Sequence, residues 1–238
     1  MNASPDSARP ALGGLAFLIF GRVIPGAVFV VLATIQVQLL APELKVAYND
    51  ASNIGAITLI INRLLFLAFV GAVALIYVFR KPPALGRRDP PTFAVSMYAS
   101  FTLLALRPVA ELIHAPVVFN SSPTAILVSN VLLISGFALA AYSLAYLRFN
   151  FSILPEARAM VTGGPYRFVR HPIYLGEIIG GCGLIVVLFS WFSGAVLISF
   201  IAAQLYRTYI EEGVLVEAIP GYAAYRLQTP HRLIPGVV

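Results

Sequence analysis

The stretch TGGPYRFVRHPIYLGE, residues 162–177, sets Arg167, Arg170, His171, Tyr166, Tyr174 and Glu177 against the start of an apolar run. A guanidinium holds anions, an imidazole carries protons near neutral pH, and a carboxylate one turn into an apolar helix needs a partner. Arg170 is therefore a candidate for orienting an anionic reactant, and His171 or Glu177 for taking a proton. A second cluster lies in QLYRTYIEEGVLVEAIPGYAAYRL, residues 204–227. There Arg207 and Glu211 fall one helical turn apart, Glu212 is adjacent, and Tyr206, Tyr209, Tyr222 and Tyr225 supply aromatic faces. Each cluster alone also reads as an interfacial anchor, since basic residues and tyrosines collect at the ends of membrane spans.

The elements that must position these groups are set by hydropathy. The 238 residues are 59% hydrophobic and only 11% charged, and the mean hydropathy is +0.87, which marks an integral membrane protein. With about 20 apolar residues to a span, segments near 16–40, 55–79, 92–114, 124–147, 173–189 and 191–210 predict an all-α polytopic protein of six spans. The formal charge of +6 does not indicate nucleic acid, because the basic residues sit at alternate ends of the spans instead of forming one patch. They collect at Arg9 and Arg22, in 80–88, in 148–170 and from Arg207 onward, whereas the opposite loops offer only Lys45. Both termini and the even-numbered loops are then expected to be cytoplasmic, at the plasma (inner) membrane in a prokaryote. The first ten residues, MNASPDSARP, read as a disordered start before a retained first helix. The single cysteine, Cys182, lies within the fifth span, so an internal disulfide is excluded. No metal-ligand set is assigned.

One membrane domain, 1–238, is the simplest partition, with 16–80 as extra N-terminal spans, 92–238 as a core and 149–238 as its chemically active part. Gly163-Gly164-Pro165 predicts a tight turn, because glycine reaches unusual dihedrals and proline fixes its own. Pro172 suits the first turn of a helix, which places the start of span five there with His171 near its cap. Tyr174, Glu177 and Gly181 share one face of that helix, and Gly176, Gly180 and Gly183 make a neighbouring stripe without side chains. The stripe reads either as helix packing or as room for a ligand against the backbone. Spans five and six are joined so closely that they must form a helical hairpin, which brings RTYIEE beside RHPIYLGE at one membrane interface. That convergence suits a zwitterionic, partly aromatic ligand with hydroxyls. In the third span, Arg107, Glu111 and His114 recur on one helix face, as a self-neutralising pair with an interfacial histidine or as a polar wall.

Gly164-Pro165-Tyr166-Arg167-x-Val169-Arg170-His171-Pro172-x-Tyr174-x-Gly176, followed by Arg207-x-x-x-Glu211-Glu212 and by Gly221-Tyr222-x-x-Tyr225, resembles the isoprenylcysteine carboxyl methyltransferase family. Membrane phospholipid N-methyltransferases share the Arg-His-Pro and Glu-Glu elements. The resemblance implies a cytoplasmic cofactor site for S-adenosylmethionine and a lipophilic acceptor arriving from the membrane lipids, first the carboxylate of a prenylated cysteine or a similar lipid-like molecule and second the amine of a phospholipid. It implies cofactor contacts from Gly164, Pro165, Tyr166, His171, Tyr174, Gly176, Gly180, Glu211 and Glu212. Arg170, then Arg207, would orient a carboxylate acceptor, and Glu177 or His171 would serve as base for an amine. A small thiol is a further acceptor class. Two other classes compete: a nicotinamide-dependent sterol-type reductase, whose motif has Asn where Ile173 stands here, and a non-enzymatic transporter or subunit using Arg63, Arg107 and Glu111.

Overall fold

The structure, a computed structural model, describes residues 8–9, 14–50, 54–234 and 236. Six long helical stretches follow the order of the six apolar segments. The first is built from α1 (Gly14–Leu18), a π-helical turn (Ile19–Val23) and α2 (Ile24–Asn49). Then come α3 (Ile54–Phe79), α4 (Pro90–Leu112), α5 (Pro123–Leu147), α6 (Pro172–Val187), α7 (Trp191–Ala218) and the short α8 (Tyr222–Gln228). Their starts are written locally. Asp89 accepts the Thr92 N–H at 3.1 Å ahead of Pro90, and Ser122 accepts that of Ala125 at 3.2 Å ahead of Pro123. Ser190 and Ser193 cap each other reciprocally. Such caps satisfy orphan donors, and proline in the first turn sacrifices no hydrogen bond.

Among the described residues three stretches, Gly14–Asn49, Ile60–Phe79 and Pro123–Asn150, are long and apolar enough to cross a membrane, and Pro90–Leu106 and Pro172–Val187 are shorter apolar helices. Exposed side chains such as Val30, Val31, Leu75, Val78, Leu127 and Val131 give these helices an apolar outer surface, as a bilayer requires. Two polar side chains within α3 are paired. Arg63 donates to Glu43 at 2.6 Å and to Gln36 at 3.0 Å, and Asn62 donates to Asn130 at 3.2 Å.

The closest helix contact is between α5 and α6. A Cβ on Gly176 would lie 2.5 Å from the Gly136 carbonyl oxygen, one on Gly136 would lie 2.5 Å from the Gly180 nitrogen, and one on Gly183 would lie 2.8 Å from the Ser129 carbonyl oxygen. The stripe is therefore a helix seam, where small residues let backbones approach. At Gly176, expected to leave room for a ligand, α5 fills the space, whereas a Cβ on Gly180 would meet nothing within 4 Å.

Two small antiparallel ladders depart from the all-α expectation. One joins β1 (Ala8–Arg9), β2 (Leu85–Arg87) and β4 (Glu156–Ala157) in the order β1-β2-β4, with Ala8 opposite Arg87 and Gly86 opposite Glu156. The other pairs β3 (Val118–Phe119) with β5 (Leu188–Phe189). Strands of two or three residues are too short to show an alternation in sequence. Ala8 and Arg9 are thus ordered in a strand, and the rest of the start expected to be disordered lies outside the described residues. The helix α4 ends at Leu112, so His114, at φ 53°, is not on the helix face of Glu111. The Arg107 side chain of the expected pair lies outside the described residues. The core runs from Phe29 and Tyr77 through Leu144 to Ile153, Ile173 and Leu233. The loop after α5 and the C-terminal segment are consequently packed into one end of the bundle.

Candidate active site

At that end the Gly-Gly-Pro sequence makes the expected turn. Gly164 has φ +58°, and a Cβ there would also lie 2.6 Å from the Tyr146 ring, so the position excludes other residues on two grounds. The Tyr166 N–H reaches back to the Gly163 carbonyl at 3.2 Å, which buries Pro165 and Tyr166. The C-terminal segment then clamps the chain entering α6. Arg170 and His171 donate their N–H groups to the carbonyls of His231 and Arg232 at 3.0 and 2.9 Å, and the Tyr225 hydroxyl donates to the Tyr166 carbonyl at 2.6 Å.

The α6–α7 hairpin brings the two clusters together, and it separates the acidic pair. Glu212 is buried among basic side chains: Arg170 Nε donates to it at 2.7 Å, His171 Nε2 lies at 3.3 Å, and Arg232 and Arg226 approach at 3.3 and 3.5 Å. Glu211 lies instead on the wall of a cleft. It accepts the Tyr174 hydroxyl, with His171 Nδ1 at 3.7 Å and Arg207 Nη2 at 4.0 Å. His171 thus bridges both carboxylates while its ring stacks on Tyr174, with centroids 5.7 Å apart.

Arg170 and Arg207 both spend their charge on protein partners, although the buried Arg207 Nε has none among the described residues. Arg170 donates through Nη1 to the Thr229 and Pro230 carbonyls, both at 2.7 Å, in addition to its ion pair. Arg207 is buried beneath the Tyr174 ring, 4.5 Å from its centroid, and donates to the Ile153 carbonyl at 2.8 Å and to Gln204 at 3.2 Å. Gln204 in turn donates to Glu177. Glu177 belongs to this buried chain of side chains between α6 and α7 and does not line the cleft.

Tyr166, Tyr174, His171 and Glu211 line the cleft together with Tyr222 and Tyr225, whose rings meet edge to face at 5.6 Å. Burial pushes the phenols of Tyr166 and Tyr222 up, and that of Tyr225 to about 12, so all three stay neutral. The Tyr166 hydroxyl is buried without a hydrogen-bond partner among the described residues. Two cleft residues, Glu156 and Arg158, were not singled out from the sequence. The available signal was PEAR, a pair of charges close to an apolar span. An acidic wall, unpartnered donors and flat aromatic faces are the donor set that a zwitterionic nucleoside requires, so the residues present fit S-adenosylmethionine.

No curated protein matches the chain. Residues 123–219, less than half of the chain, are similar to the sequence model of the phospholipid methyltransferase family; they supply α5, α6, α7, the first charged cluster and Arg207, Glu211 and Glu212 of the second, and the similarity agrees with the resemblance read from the Arg-His-Pro and Glu-Glu elements while leaving the isoprenylcysteine branch undistinguished.

Proposed function

We propose that the chain is an S-adenosylmethionine-dependent methyltransferase acting at the cytoplasmic membrane interface on a lipophilic acceptor. The observation that carries this reading is a coincidence: the segment matching the phospholipid methyltransferases contains the hairpin that turns Glu211 toward a tyrosine-lined cleft and Glu212 away from it. The donor, when bound there, supplies a methyl group activated on a sulfonium. Glu211 receives the ammonium or the ribose hydroxyls, and the phenol faces of Tyr166, Tyr222 and Tyr225 favour a nearby cation. Tyr174 and His171 fix the Glu211 carboxylate through their contacts on either side. Methyl transfer is an in-line displacement, in which alignment alone contributes about 7–11 kcal/mol.

The acceptor is read as the amine of a membrane lipid headgroup. The commitment of Arg170 and Arg207 to protein partners supports this over a carboxylate, as does the name of the matching family. An amine must lose a proton before it attacks, and His171 and Glu211 are the groups at the cleft able to take it. The second reading, a prenylcysteine carboxylate, is supported by the GPYRFVRHP pattern. S-adenosylhomocysteine should raise the melting temperature of the purified protein, and NADPH should not. Selective stabilisation by NADPH instead would overturn the proposal in favour of a reductase. Labelled donor offered with phosphatidylethanolamine, a prenylcysteine analogue and a small thiol separates the acceptors, and a base-labile product specifies an ester.

A further inference from the structure

Arg158 differs from Arg170, the other arginine of the cleft lining. Its side chain is only 4% exposed, and two of its nitrogens are engaged: Nη2 donates to Glu156 at 2.7 Å and Nε to the Lys81 carbonyl at 3.0 Å. The third, Nη1, is buried with no hydrogen-bond partner among the described residues, in a residue that lines the cleft. Around it the charge is unbalanced. Arg80, Arg88 and Arg158 all converge on Glu156, at 3.6, 2.7 and 2.7 Å, so three guanidinium groups face one carboxylate. Arg80 spends its Nε on the Gly21 carbonyl at 2.6 Å and lies outside the cleft, as does Arg88. Tyr166 adds a second unpartnered buried donor to the same lining. A buried donor left without an acceptor is costly, more so when it is charged, and a local excess of positive charge selects an anion to satisfy it.

We propose that Arg158 Nη1, together with the Tyr166 hydroxyl, receives an anionic oxygen of the bound ligand, a carboxylate or a phosphate. The cleft is then polarised, with Glu211 and the tyrosine faces taking the cationic part of the ligand and Arg158 its anionic part. The choice of probes rests on the methyltransferase reading; the site itself rests on the two unpartnered donors and the unbalanced charge. The carboxylate of an amino-acid-bearing donor and the phosphate of a lipid headgroup share this chemistry, and they are separable.

The test measures binding to the full chain in detergent micelles, by calorimetry, for the wild type, Arg158→Lys and Tyr166→Phe. Arg158→Lys keeps a charge beside Glu156 and removes the guanidinium fork. Tyr166→Phe removes a hydroxyl with no protein partner, so the fold should be indifferent to it. If the ligand oxygen is the donor's carboxylate, the wild type should prefer S-adenosylhomocysteine over its decarboxylated analogue by about 10- to 100-fold, and both variants should lose most of that preference. If it is a headgroup phosphate, that preference is unchanged and the variants instead lose their preference for phosphatidic acid over diacylglycerol. Retention of both preferences in folded variants overturns the proposal. Failure of the wild type to bind either adenosine ligand sinks the methyltransferase reading, and the phosphatidic acid comparison then decides the anion site alone.

Discussion

Glu211 and Glu212 are chemically identical neighbours, yet a rotation of about 100° along one helix gives them opposite surroundings. Glu211→Gln should weaken S-adenosylhomocysteine binding about 10- to 100-fold, as expected for a lost charged hydrogen bond, and leave the melting temperature nearly unchanged. Glu212→Gln should do the reverse. It leaves Arg170 buried without its carboxylate, an imbalance that costs about 3–5 kcal/mol when a buried pair is broken, and it should lower the melting temperature by several degrees. Equal effects of the two substitutions on binding would refute the separation of roles. Glu156 offers a pH test. Burial raises its pKa, but the charges of Arg158 and Arg80 and the hydrogen bonds from Arg88 and Arg158 outweigh burial and hold the carboxyl below its usual range. The stability it contributes is therefore complete above the unfolded value of about 4.3, and it is lost as the pH falls through the lower folded value. Glu156→Gln should remove that part of the acid dependence and lower the melting temperature at neutral pH. An unchanged acid limb would show that other carboxylates carry it.

Among the elements, the α5–α6 seam and the α6–α7 hairpin fix the site from two sides. Gly176→Ala drives a methyl into the Gly136 carbonyl at 2.5 Å, and overpacking of this kind costs about 1–3 kcal/mol. The expected result is a lower melting temperature with ligand affinity preserved in the folded fraction; a loss of affinity at unchanged stability would restore Gly176 to the ligand site. Helix starts were legible because they depend on nearest neighbours: Pro172 after His171 sets the start of α6 without reference to the rest of the fold. The meeting of RHPIYLGE with RTYIEE was legible for a similar reason, since only Leu188 to Ser190 separate the two helices. The fate of the glycine stripe was not, because packing and ligand room differ only in what lies opposite, and α5 is distant in sequence. Arg170 looked available for the same reason: the carbonyls of Thr229 and Pro230 that engage it lie about sixty residues on. Which of two adjacent glutamates faces the cleft depends on helix rotation, and this is set by contacts beyond α7.

For the whole molecule, the charge pattern predicts six spans with the cleft on the cytoplasmic side, and labelling tests it. In a Cys182→Ser background, an impermeant maleimide should modify Asn120→Cys in intact cells and Ala84→Cys only after permeabilisation. Both positions are exposed in the structure. Labelling of Ala84→Cys in intact cells would reject this orientation. The clamp formed by residues 229–232 bears on how the molecule is held. Those residues follow α7 and α8 in the chain, yet their carbonyls hold Arg170 and His171, which precede α6. The entry to α6 is therefore locked from behind: a truncation that removes residues 229–232 would keep every helix of the bundle and release the segment that carries Arg170 and His171.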